Sequence, residues 1–161
     1  MKTNLRMALL SILLGAALVL TACGNNNAGG GGSTGGSAGG TTIEIGSDGE
    51  NLAFDKTELS VSAGQEVTVT FTNNSAVQQH NWVLVNGGEA EAQAVANAGL
   101  TAGLENNYLP ADGSNVLANT NVLNGGESGS VTFTAPAAGS YLYICTVPGH
   151  YPLMQGTLTV N

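Results

Sequence analysis

The stretch that decides the fold is Glu66-Val67-Thr68-Val69-Thr70-Phe71-Thr72-Asn73. Apolar and polar residues alternate through it, which puts Val67, Val69 and Phe71 on one face and the hydroxyls on the other. Such a segment is a strand with one side in a core and one side in water. The same period of two recurs around it. Upstream lie Thr42-Ile43-Glu44-Ile45 and Glu58-Leu59-Ser60-Val61-Ser62-Ala63. Downstream come the apolar run Asn81 to Asn86, the alternating Ser128 to Thr134, then Tyr141 to Ile144, and Gly156 to Val160 with Leu158 and Val160 inward. Ala63-Gly64, Asn86-Gly87-Gly88, Asn124-Gly125-Gly126 and Ala138-Gly139 punctuate these runs as turns. Short strands separated in this way predict an all-β fold, an antiparallel β-sandwich with Greek-key connections. The exception is Ala-rich Glu89 to Ala102, where Val95 and Leu100 stand at sparse helical spacing and predict one short helix in a long connection.

The strand pattern occupies residues 41–161, an ordinary size for a single domain with one core. Residues 1–23 have a different composition. Lys2 and Arg6 lead into an unbroken run of apolar or small residues, Ala8 to Leu20, which suits an export signal and is short for a bilayer span. The run ends in Leu20-Thr21-Ala22-Cys23, the form of a bacterial lipobox, in which the cysteine is acylated and becomes the mature N-terminus. An ordinary signal peptide with an incidental cysteine is the alternative. The lipobox reading predicts an exported protein, anchored through Cys23 to the outer (periplasmic or extracellular) face of the cell membrane. Residues 24–40 hold nine glycines among Asn, Ser, Ala and Thr. They cannot bury a core and are expected to form a flexible tether with a root-mean-square reach of about 20–25 Å.

All eleven acidic residues of the chain lie between Glu44 and Glu127, and Lys56 is the only Lys or Arg after Arg6. The domain therefore carries a formal charge of −10. Such a surface repels nucleic acid and anionic lipid, which excludes nucleic acid as a partner. Steering toward a basic partner and plain solubility both fit it.

Chemistry concentrates in few residues. The domain holds one cysteine, Cys145, two histidines, His80 and His150, and one methionine, Met154. Three of these fall within Cys145-Thr146-Val147-Pro148-Gly149-His150-Tyr151-Pro152-Leu153-Met154, between the last two predicted strands. His80 stands at the head of another strand. Each residue alone has an ordinary role, as core filler or surface imidazole. Together, two imidazoles, one thiolate and one thioether are the donor set of a blue-copper centre, with one copper in the domain. The usual structural zinc sets need two or more cysteines, and the all-histidine catalytic set needs three histidines. A multicopper enzyme needs further histidines for a second copper, and a binuclear centre needs a second cysteine in the loop. The reading is thus an electron carrier that cycles Cu(I)/Cu(II) as a monomer, with no catalytic residues. A binding module that has lost its metal, and a copper chaperone, are the rivals. The chaperone is disfavoured by the lack of Met-rich or His-rich tracts.

The segment Tyr143-Ile144-Cys145-Thr146-Val147-Pro148-Gly149-His150 resembles the copper loop of azurin-type cupredoxins, and His80-Asn81 resembles the ligand pair upstream of it. The likeness covers roughly His80 to Asn161 by motif and the whole domain by strand pattern. It implies a cupredoxin-like sandwich in which His80, Cys145 and His150 form a trigonal plane and Met154 is axial. It also implies that the Asn81 N–H bonds the cysteine sulfur, with the Val147 N–H as a second donor. Azurins carry a glycine where this chain has Gln79, so a four-coordinate site is expected. The partners implied are a quinol-oxidising membrane complex on one side and a cytochrome c or a reaction centre on the other. Val147, Pro148, Tyr151, Pro152 and Leu153 frame His150 as an apolar docking patch of the kind brief redox encounters use. Alternatively, these residues only shape the loop. Trp82 is read as core, while Tyr141 and Tyr143 stay open between core and site.

Overall fold

Period-2 burial is realised in the strands at Glu66–Thr72, Ser128–Thr134 and Gln155–Val160. A computed structural model describes residues 40–161. The expected signal, Cys23 and all of the expected tether except Gly40 lie outside the described residues. Within them the chain forms β1 (Thr41–Gly46), β2 (Glu58–Val61), β3 (Glu66–Thr72), β4 (Val83–Val85), α1 (Glu89–Ala102), a 3₁₀ turn (Leu104–Asn106), β5 (Val116–Asn119), β6 (Ser128–Thr134), β7 (Gly139–Ile144) and β8 (Gln155–Val160). Two sheets result, ordered β1-β3-β6 and β2-β8-β7-β4-β5.

The first sheet is built on β3. Val67, Val69 and Phe71 are fully buried and face the shared core with Trp82, Leu84, Tyr143 and Leu158. On the opposite face hydroxyls pair across β3 and β6: Thr68 with Thr132 at 2.9 Å, Thr70 with Ser130 at 3.0 Å and Thr72 with Ser128 at 2.8 Å. The solvent side of the β3–β6 pair is thus lined by hydroxyls, with the exposed carboxylate of Glu44 beside it on β1. Phe54 seals the core edge-on against Phe71 and Tyr143, and Trp82 stacks on Phe133 and Tyr143.

The second sheet is covered on both faces at β4 and β7, where α1 packs against its outer side. Leu84 of β4 points into the inter-sheet core, while Val83 and Val85 join Ala92, Val95 and Ile144 in a smaller cluster under α1. Double coverage is why this strand reads as a continuous apolar run rather than an alternation. Glu91 starts the helix by accepting the Gly88 N–H at 2.9 Å. Val95 is buried, as the helical spacing requires, but Leu100 is 60% exposed.

Two features depart from the sequence reading. The sandwich is not purely antiparallel: β1 pairs with β3, and β2 with β8, in parallel. The chain leaves the first sheet after β1, lays down β2 in the second, and returns for β3. Strands joined by such an excursion are not held to hairpin geometry. In addition, β5 and the 3₁₀ turn occupy the connection after α1, where no element was expected.

Candidate metal centre

The centre forms where β4, β7 and β8 lie side by side, at the end where the β7–β8 connection closes over the core. That connection, residues 145–154, bonds to itself. Cys145 N–H donates to the Met154 carbonyl at 3.0 Å, His150 N–H to Val147 at 3.0 Å, and Met154 N–H to His150 at 2.9 Å. Gly149, at φ +84°, makes the turn before His150 that an L side chain would strain. Cys145 and Met154 thus face each other across the base of the loop, and both side chains are fully buried.

His80 is fixed from the other side. It exchanges two backbone hydrogen bonds with Leu123, of 3.1 and 2.8 Å. The segment before it is clasped by two residues. Asn73 donates from its amide to the carbonyls of Gln78 and Leu123, at 2.8 and 2.9 Å. The Glu50 carboxylate accepts the Ala76 N–H at 2.6 Å and the Ser75 hydroxyl at 2.8 Å. These donors, Ala76 first, hold the Glu50 carboxyl below its usual range. The Gln79 side chain turns to Asn124, 2.9 Å away.

Asn81 ties the two halves together. Its Oδ1 accepts the Thr146 N–H at 2.8 Å, and its Nδ2 donates to the Thr146 hydroxyl at 2.8 Å. The residue after His80 is therefore locked to the residue after Cys145.

With these restraints three donor atoms converge. Cys145 Sγ lies 3.7 Å from His80 Nδ1 and 3.4 Å from His150 Nδ1, and the two nitrogens are 3.1 Å apart. A point equidistant from all three sits about 2.0 Å from each, matching metal–imidazole bonds of about 2.0–2.1 Å and lying somewhat inside a metal–thiolate bond of about 2.3 Å. Two imidazole nitrogens and a sulfur turned toward one another satisfy each other poorly, and a shared cation uses all three lone pairs. The donor set fits a metal. Among the described residues this is the single group of three or more His, Cys, Asp or Glu side chains able to hold one.

The electrostatics are those of a dry site. Burial pushes the Cys145 thiol up to about 11, against the opposing pull of the Asn81 and Val147 N–H groups. Burial, then the charge of His150, brings His80 down to about 4, and burial lowers His150 as well. Both imidazoles are neutral at pH 7 and offer lone pairs, as ligation requires.

A family model for copper-binding proteins of the plastocyanin/azurin family matches residues 41–161. The chain belongs to the plastocyanin/azurin family. It is 68% identical to auracyanin-A of Chloroflexus aurantiacus over the full length of both chains. It is 43% identical to azurin-1 of Alcaligenes xylosoxydans xylosoxydans, over 70% of this chain and 91% of that one. Among solved structures, auracyanin A of Chloroflexus aurantiacus, described as a blue copper protein, covers 76% of this chain with all of its own at 73% identity and a TM-score of 0.75. Reduced auracyanin from Roseiflexus castenholzii covers 76% of this chain with 99% of its own at 52% identity and a TM-score of 0.73. Copper is accordingly the metal of this plastocyanin/azurin-family site, and the soft thiolate and thioether beside imidazole suit it.

The remaining site residues separate by exposure. Val147 and Tyr151 are half-buried, Pro148 and Pro152 exposed, and Leu153 is 70% exposed. Trp82 and Tyr143 belong to the core, where the Tyr143 hydroxyl donates to the Lys56 carbonyl at 2.7 Å. Half-buried Tyr141 donates to the Ala137 carbonyl at 2.9 Å. Sequence reasoning passed over the Glu50 and Asn73 clasp and the Thr146 partnership. The run Asn73-Asn74-Ser75 ahead of the histidine, a turn-forming cluster, was the available signal for the clasp.

Proposed function

We propose that this chain is an outer-sphere electron carrier in which His80, Cys145 and His150 hold a single copper ion and Met154 supplies a weak fourth donor. Bound copper supplies the Cu(I)/Cu(II) couple; the chain does everything else. It keeps the ligands from rearranging by pinning the 145–154 loop at its base and His80 at Leu123. It excludes water from Cys145, Met154 and His80, all with 0% exposure. The Asn81 and Val147 N–H groups favour the thiolate over the thiol, which tunes the couple. No bond-making chemistry is required. The observation that carries the reading is the convergence of one sulfur and two imidazole nitrogens within 3.1–3.7 Å.

The wider setting follows from the sequence. Lipidation at Cys23 and a tether over 24–40 would hold a monomeric domain at the outer face of the cell membrane. Electrons would pass by way of His150 and the exposed apolar rim of Val147, Pro148, Tyr151, Pro152 and Leu153. The donor would be a quinol-oxidising complex and the acceptor a cytochrome c or reaction centre. The residues that support this are the lipobox, the glycine-rich stretch, and an apolar rim free of charged side chains.

The test is optical and EPR spectroscopy of the purified full chain loaded with Cu(II). An intense blue absorption that bleaches reversibly with reductant, with narrow copper hyperfine splitting, is the expected result. A colourless protein, or the wide splitting of an ordinary cupric site, overturns the reading and leaves a β-sandwich binding module. Membrane fractionation of a Cys23→Ser variant tests the anchor separately.

A further inference from the structure

We propose that Asn107, which touches no metal donor, is a positioning residue for the copper centre. It braces the two segments that carry and fix His80, and so sets how His80 stands against the Cys145 loop. The proposal rests on the copper reading above.

The argument begins with the fully buried amide of Asn81, which has one acceptor and two N–H donors to satisfy. Thr146 takes the acceptor and one donor. The second N–H goes to the Asn107 carbonyl at 3.1 Å. Remove that acceptor and a buried N–H is left unpaired, so the amide gains by rotating away from the geometry that locks it to Thr146.

Asn107 can offer its carbonyl because its backbone is left-handed, with φ 55° and ψ 27°. It caps the 3₁₀ turn through its own N–H, which donates to Leu104 at 2.8 Å. Asparagine is one of the few residues besides glycine that enters this region readily. Its side chain is used elsewhere, since Oδ1 accepts the Val122 N–H at 3.0 Å. Val122 precedes Leu123, the residue that exchanges two backbone bonds with His80. One residue therefore holds both flanks of the ligand: its carbonyl holds the residue after His80, and its amide holds the residue before His80's bridge partner. Outer groups of this kind orient metal ligands and commonly change metal affinity by about 10–100-fold when lost.

The experiment compares the copper-loaded full chain with Asn107→Ala, Asn107→Gly and Asn107→Asp. Asn107→Ala strains the backbone and removes the Val122 bond. It is expected to shift the thiolate-to-copper absorption, alter the hyperfine splitting and weaken Cu(II) binding about ten-fold in chelator competition. Asn107→Asp retains the acceptor and the left-handed preference, and it should return the spectrum to that of the wild type. If Asn107→Ala fails to fold, Asn107→Gly, which relieves the strain but still lacks the Val122 brace, should show the spectral shift in reduced form. A purely structural role predicts lower melting temperatures with absorption, splitting and affinity unchanged, and that result overturns the proposal. A wild-type chain that never turns blue removes the copper reading and this proposal with it. A blue wild type matched by both the Ala and Gly variants removes this proposal alone.

Discussion

His80 must be neutral to bind metal, and it is buried where a proton would cost most, so one environment serves both needs. Its Nε2 is buried without a hydrogen-bond partner among the described residues. Its pKa is lowered from 6.5 to about 4, by burial first and the charge of His150 second. In the metal-free protein the unfolded chain then binds a proton at His80 between pH 6.5 and 4 that the folded chain refuses. Stability from this residue is fully present above about 6.5, falls as the pH drops through the window, and levels off below about 4. The loss amounts to about 3 kcal/mol at most. Thermal unfolding of the metal-free full chain between pH 8 and 3.5 checks this. A His80→Gln variant should have a flatter profile, with the remaining slope owed to His150 and, at the acid end, to the Glu50 and Asp112 carboxyls that hydrogen bonds hold below their usual range. An equal slope in both proteins would assign the acid sensitivity to other groups.

At the scale of elements, α1 depends on one close approach. Gly99 is buried on the helix face that meets the backbone carbonyl of Tyr108, and a Cβ there would press into that carbonyl. A Gly99→Ala change gains up to about 1 kcal/mol of helix propensity. Overpacking against a group that cannot rotate away typically costs about 1–3 kcal/mol. The clash should win, and Gly99→Ala should lower the melting temperature, whereas the neighbouring Ala98, which is exposed, should accept Ser with little effect. Which elements the sequence revealed follows from how each is covered. Strands β3 and β6 were legible because one face meets the core and the other meets water. Strand β4 was legible as an apolar run because both its faces are covered. Strand β5 was not, since Val116 and Asn119 are half-buried and Leu117 exposed, leaving no clean alternation. Strand direction escaped as well, because nothing in Thr41–Gly46 or Glu58–Val61 records which neighbour each strand meets. In the metal centre, the donors His80, Cys145 and His150 declare themselves by chemical type. Asn107 and Glu50 do not, since neither touches a donor atom: one meets the Asn81 amide and the Val122 N–H, and the other bonds to a loop.

The whole molecule separates charge from chemistry. Eleven acidic residues face a single lysine across the domain, yet the segment from Cys145 to Met154 carries none of them. A field from the body of the domain could then bring a cationic partner near while an uncharged rim makes the contact. Solubility alone would explain the same composition, and ionic strength distinguishes the two. The screening length shrinks from about 30 Å at 0.01 M salt to about 8 Å at 0.15 M. If the field steers encounters, oxidation of the reduced protein by a small cationic complex should slow several-fold over that range. Oxidation by an anionic complex of similar potential should quicken, because screening removes a repulsion. Stopped-flow appearance of the blue absorption reads both rates. Opposite salt slopes would establish a field acting at the site of electron exit. Flat slopes for both reagents would show that the acidic residues lie too far from His150 to matter, leaving the apolar rim to select partners by contact alone.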